Sequence, residues 1–156
     1  MKKNKQKGIS IIEVIVALGI LAVILVGIFQ LVSYSLNTVR NNEHQSQATS
    51  LASEAMEASR FVRDDDWDTF AALDTQLDFH PVEGTGWTLQ SGCENIGIFQ
   101  RCIDINQVYR DNVTGDPVDS GGILDPDSRE VIVEITWTDN NRDHDYYIES
   151  YLTNWK

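Results

Sequence analysis

Near the start of the chain, residues of three kinds are spaced so that they could act together. Lys2, Lys3, Lys5 and Lys7 form a basic tip, Gly8 follows it, and Glu13, five residues beyond, sets a carboxylate at the head of an apolar run. From Val14 to Phe29 there is no polar side chain. A carboxylate at membrane depth costs about 2.5 to 3.5 kcal/mol even on lenient scales, and normally has a partner of opposite charge. The apolar run holds no basic residue that could serve. Cleavage after Gly8 would create one, because the new α-amino group of Ile9 lies about one helical turn from Glu13. The two charges can meet within one chain or between neighbouring molecules.

The element that positions these groups is the stretch from Ile9 to Val32. Its 24 residues rise about 36 Å as a helix, enough to cross a hydrocarbon core of about 30 Å. Lysines precede it, and only Arg40 is basic in the eighteen positions after it. That asymmetry predicts an N-terminus on the cytoplasmic side and a head outside. A secretory signal peptide shares the basic tip, but its apolar region is shorter, and no A-x-A site follows here. A plain single-span anchor leaves Glu13 unexplained.

The lysine-rich leader, Gly8, four mostly apolar residues and Glu13 ahead of an apolar helix resemble the class III signal of type IV pilins and type II secretion pseudopilins. The resemblance implies that a membrane aspartyl peptidase, the prepilin peptidase, cuts the Gly8–Ile9 bond and that the new N-terminus is methylated. It implies that Glu13 helps to dock each subunit beside its neighbour's N-terminus in a helical filament. Ile9 stands where the family usually has phenylalanine. The implied partners are the peptidase, other pilin or pseudopilin subunits, the inner-membrane assembly machinery and, before assembly, membrane lipid. The implied location is the bacterial inner membrane, single-pass, and then a periplasmic or cell-surface filament. The stretches Glu54 to Phe70 and Tyr151 to Trp155 also resemble minor-pilin-like proteins.

Beyond Val32 no proline or glycine stops a helix before Val62. Ala48, Leu51, Ala52, Ala55, Ser59 and Val62 fall at steps of three and four, one narrow face of small residues suited to packing on a sheet. A helix from Ile9 to Arg63 is expected, about 80 Å long. It should end at Arg63-Asp64-Asp65-Asp66, where carboxylates oppose its dipole and favour a new N-terminus. Trp67, Phe70, Ala71 and Leu73 read as a short amphipathic turn. Strands are then expected at Trp87–Leu89, from Phe99 as far as Tyr109, over Arg129–Thr138 and over Tyr146–Trp155, with a loop from Asp111 to Ser128 and a polar turn from Asp139 to His144. The fold class is α+β, one long helix on a small antiparallel sheet of about four strands. The expected divisions are a leader 1–8, a membrane helix 9–32, the soluble half of the helix 33–63 and a head 64–156.

Residues 9–156 carry eight basic against 24 acidic groups, a balance of −16, which disfavours direct binding of nucleic acid and suits solubility outside the cell. Cys93 and Cys102 form no C-x-x-C pair. In an exported head they would close a small loop as a disulfide; in a cytosolic one they are two thiols. His44, His80 and His144 lie in separate segments, and no catalytic or phosphate-binding motif occurs, so no enzyme activity and no cofactor is expected. Asp111, Asp116, Asp119, Asp125, Asp127 and Glu130 could offer oxygens to calcium, but Val113 stands at a ligand position and the EF-hand spacing fails. Two functions follow. The first is a structural subunit of a pilus or pseudopilus; the alternative is a single-span extracellular binding module that is not assembled.

Overall fold

In the computed structural model, residues 10–73, 75–119 and 121–155 are described. The chain divides into two compact units, one up to His44 and one from Gln45 onward. Helix α1 runs from Ile11 to Asp65, 55 residues. In the first unit its large apolar side chains, Ile11 to Val39, are exposed. In the second unit the same helix buries Ala48, Ala52, Ala55, Met56, Ala58 and Ser59. The predicted stripe is therefore the buried face, widened by Met56 and Ala58, with Leu51 and Val62 half-buried beside it. Small side chains let the helix lie close to the sheet, and the Ser59 hydroxyl donates to Ala55 O at 2.9 Å, so burying it leaves no donor unpaired.

Asp64 and Asp65 extend α1 two residues past the expected end at Arg63, and of the three aspartates only Asp66 sits where its charge is favoured. α1 stops at Asp65, and Asp66 becomes the N-cap of α2, Trp67–Ala71. An Asp66 carboxylate oxygen accepts from Asp68 N at 3.1 Å, the ordinary capping bond that satisfies a free helical N–H. Arg129 closes the other end of α2, donating to Ala71 O at 2.9 Å, a cation where the helix dipole is negative.

Among the described residues seven strands build one sheet, every pair antiparallel: β1 (Phe79–Glu83), β2 (Trp87–Ser91), β3 (Glu94–Ile96), β4 (Phe99–Arg110), β5 (Pro117–Val118), β6 (Ile123–Asp139) and β7 (Arg142–Thr153). The order is β2-β1-β4-β6-β7, and β3 and β5 also pair with β4. This corrects the expectation of about four strands. β3 and β5 are too short to show a period, and β1 is broken in sequence by Pro81. The expected loop from Asp111 to Ser128 is also shorter than read. β5 lies within it and β6 begins at Ile123, ahead of the Pro126 that made the stretch look like a turn.

Alternation sets the register. Phe99, Ile103 and Ile105 of β4 and Val131, Val133, Ile135 and Trp137 of β6 all point to the buried side, where α1, Phe70 and Leu152 meet them. Each such side chain contributes about 1.5 to 3 kcal/mol on full burial. β6 and β7 are joined by Asn140 and Asn141, whose φ values are 50° and 60°. Both residues adopt the left-handed conformation that a two-residue hairpin needs and asparagine tolerates. Gly86, between β1 and β2, is fixed by contact: a Cβ there would stand 2.9 Å from the Phe61 ring of α1.

One charged residue takes an inward position. Arg101 falls between Phe99 and Ile103 on the buried side of β4, with its side chain 4% exposed. Its Nε and Nη2 donate to Glu94 Oε1 at 2.8 and 2.6 Å, and its Nη1 donates to Glu54 Oε1 and Leu51 O, both at 3.0 Å. A buried guanidinium is tolerated only when paired in this way. Here the pairing ties α1 to β4 and β3. Next to it in sequence, Cys102 is disulfide-bonded to Cys93. Closing so short a loop removes about 2 to 3 kcal/mol of freedom from the unfolded chain in the entropic account.

Candidate functional site

The groups with a candidate role in processing and assembly are Gly8, Ile9 and Glu13. Gly8 and Ile9 lie outside the described residues. Glu13 stands in the first turn of α1, where a carboxylate faces the positive end of the helix dipole. The turn is closed by Glu13 N and Val14 N donating to Ser10 O at 3.0 and 3.3 Å. Val14, Ala17, Leu18 and Leu21 follow Glu13 along one exposed apolar side of the helix.

The surroundings of Glu13 are distinctive for a folded chain. From Ile11 to Val32 the large apolar side chains are exposed, Val23 by 74% and Phe29 by 71%. No residue in the most apolar eighteen-residue stretch of α1 is buried. A water-facing surface of this extent is not tolerated by a soluble monomer and marks contact with lipid or protein. At Gly19 and Gly27 an added Cβ would meet nothing within 4 Å. Glycine inside a helix costs about 0.5 to 1 kcal/mol relative to alanine, and no contact among the described residues of the first unit accounts for either position.

The other candidate groups do not converge. His44 is on α1. His80 Nδ1 bonds to Gly92 O at 2.7 Å, and His144 stacks on Trp137 at 5.3 Å between ring centroids. In the acidic segment, the Asp111 carboxylate accepts from Val113 N and Thr114 N at 2.7 and 2.9 Å, and these backbone bonds hold its carboxyl below the usual range. Asp125 accepts from Ser128 Oγ and from Arg110 Nε, both at 2.6 Å, and is lowered by those two bonds in that order. These carboxylates cap a turn and pair an arginine. The turn role fits the ordinary behaviour of aspartate in loops.

A carboxyl pair that alternation alone does not single out lies on the opposite side of the sheet. β1 and β4 are paired through Phe79 and Ile103, which brings Asp78 beside Asp104 one step along the antiparallel register. Burial, a hydrogen bond with Asp78, and the charges of Asp78 and Glu134 push Asp104 up to about 6. The usual carboxylate value is near 3.9. The folded state therefore holds a proton that the unfolded chain has released, so stability falls as pH rises from about 4 to about 6. The substitution Asp104→Asn, whose amide can donate to Asp78 at every pH, is expected to stabilise the head at pH 7. The gain is about 1 kcal/mol after allowance for solvent screening, and it vanishes below pH 4. Urea midpoints of parent and variant at pH 7 and pH 4 check this; a constant difference at both would contradict it.

Residues 3–29 match the family described as the prokaryotic N-terminal methylation motif. No curated protein and no solved structure matches the chain. The matched segment spans Lys3, Lys5, Lys7, Gly8, Glu13 and α1 as far as Phe29. The chain thus carries an N-terminal methylation motif, as type IV pilin-like precursors do, and, among the described residues, one helix long and apolar enough to cross a membrane.

Proposed function

We propose that the chain is a structural subunit of a type IV pilus or a type II secretion pseudopilus. It is made as a precursor, cut between Gly8 and Ile9 by a prepilin peptidase, methylated on Ile9 and held in the inner membrane with its head outside. It is then drawn into a filament by the assembly machinery, and its apolar helix packs against other subunits there. The observation that carries this reading is the exposed apolar surface of α1 with a single carboxylate in its first turn, coincident with the methylation motif.

The energetics fit. An apolar helix leaving lipid exchanges one set of van der Waals contacts for another of similar kind, so extraction need not expose it to water. Glu13 needs a positive partner at both stages, and the amine freed by cleavage supplies one.

The deciding experiment is mass spectrometry of the mature N-terminus. The expected result is a chain beginning at Ile9 and carrying one methyl group. A mature protein that keeps residues 1–8 would instead favour an unassembled membrane-anchored binding module. Glu13→Ala is expected to be cleaved normally but to be lost from sheared filament fractions by about tenfold or more, as befits removal of one partner of a desolvated charge pair. Equal recovery of the variant and the parent in filaments would count against the docking role.

A further inference from the structure

The head carries a pocket where the β4–β6 ladder breaks. The register jumps there from Gln107 opposite Arg129 to Val108 opposite Asp125, leaving Pro126, Asp127 and Ser128 outside that pairing. A break of this kind re-aims side chains and interrupts a sheet. The resulting cavity, about 220 Å³, is lined by Val108 and Tyr109 of β4, Val118 of β5, Glu130 of β6, Tyr151 of β7 and, beyond β5, Asp119.

Its chemistry is asymmetric. Val108 is buried, and Val118 adds a second apolar side chain. Two phenol rings stand beside them. Glu130 accepts from Tyr151 Oη at 3.0 Å and from Asn106 Nδ2 at 3.4 Å, one bond on each oxygen, so each oxygen keeps a lone pair in reserve. Asp119 makes no hydrogen bond or ion pair with any other described residue. Among the described residues no basic side chain lines the cavity. Arg110, next to Tyr109, is turned to Asp125 at 2.6 Å, Gly115 O at 3.1 Å and Ser128 Oγ at 3.1 Å, and Arg129, next to Glu130, is turned to Ala71 O at 2.9 Å. The local field is negative: the hydrogen bond to Glu130, burial, and the charges of Glu130 and Glu149 push the Tyr151 phenol up to about 12.

We propose that this pocket receives the side chain of a lysine presented by a partner protein. The four-carbon stem lies along Val108 and Val118, and the ammonium reaches Glu130 and Asp119 beside the rings of Tyr109 and Tyr151. A lysine has this division into an apolar stem and a charged head, and phenol rings attract a cation at close range. A neutral sugar would use the rings but gain nothing from the carboxylates. From Gln45 onward the chain holds 22 acidic and seven basic residues, a balance that steers basic partners toward the head. The pocket belongs to the head and would stand whether or not the N-terminus is processed.

The test uses the full chain in detergent micelles with ring-labelled tyrosine, followed by NMR. The probes are Nα-acetyl-lysine methylamide, its neutral counterpart Nα-acetyl-norleucine methylamide, and the free diamine putrescine. The lysine probe is expected to shift the Tyr109 and Tyr151 ring signals saturably. Glu130→Gln and Asp119→Asn should each weaken it about fivefold, the size of one partly exposed charge contact. Asp119 is exposed and makes no bond to another described residue, so its variant tests the pocket without removing a contact described in the fold. Equal affinity for the norleucine probe, or unchanged affinity in both variants, overturns the proposal. Binding of putrescine without binding of the lysine probe overturns the assignment to a partner protein.

Discussion

Gly8→Ala is expected to leave the chain uncut. A peptidase acting beside the membrane surface must bring its catalytic carboxylates to the Gly8–Ile9 bond, and a residue without a Cβ lets the backbone come closest. An added methyl group displaces the bond by about 1 Å, a misplacement that costs about a hundredfold in rate. On an immunoblot of membrane fractions the variant should run at full length with the eight-residue leader retained, while the parent runs shorter. The same shortened product from both would remove the processing site from Gly8. Because Ile9 would then lack a free amine at this position, the variant is also expected to be absent from filaments although Glu13 is intact.

The second large effect is expected in the head. Arg101→Met removes a buried guanidinium and leaves an apolar chain of similar reach. Leu51 O, Glu54 and Glu94 all lose a donor. Breaking a buried pair by deleting one partner costs about 3 to 5 kcal/mol. The partners here are 46% and 26% exposed, so water recovers part of that, and a loss of about 3 kcal/mol is expected. The control is Glu57→Gln, which breaks the Arg60–Glu57 pair. Those side chains are 41% and 67% exposed, and such surface pairs contribute under about 1 kcal/mol. Urea unfolding followed by near-ultraviolet circular dichroism compares them. Equal losses in the two variants would show that Arg101 does not hold α1 to the sheet.

Where a segment buries one face, its pattern could be read directly. Val131, Val133, Ile135 and Trp137 alternate because one side of β6 meets α1 and the other does not, and the alanine stripe from Ala48 to Ala55 repeats because a helix turns every 3.6 residues. Arg101 shares the alternation of Phe99, Ile103 and Ile105, but nothing in that pattern names its partners. Glu54 is 47 residues away in sequence, a contact that only the packing of α1 on β4 creates. β1, β3 and β5 escaped for local reasons, namely a proline, a three-residue length and a two-residue length. The pocket at Tyr109 and Tyr151 depends on a register break between two strands, and no single strand carries the signal for that. At the N-terminus the chemistry was legible because basic tip, glycine, carboxylate and apolar length lie within one short stretch of sequence.

The alanine stripe also bears on how the head is made. Synthesis delivers α1 first, and the strands that cover it, β4, β6 and β7, emerge only afterwards, with Leu152 and the Trp155 bond to Asp64 at 3.2 Å among the last contacts to form. Until then the buried side of the helix is bare. A stripe of leucines would be a sticky surface for that interval and an invitation to the wrong neighbour. Alanine and serine offer little area to stick, while α1 still has a geometric seat for the sheet when it arrives. The small residues at Ala48, Ala52, Ala55 and Ser59 therefore leave less apolar area bare than leucines would until the strands arrive.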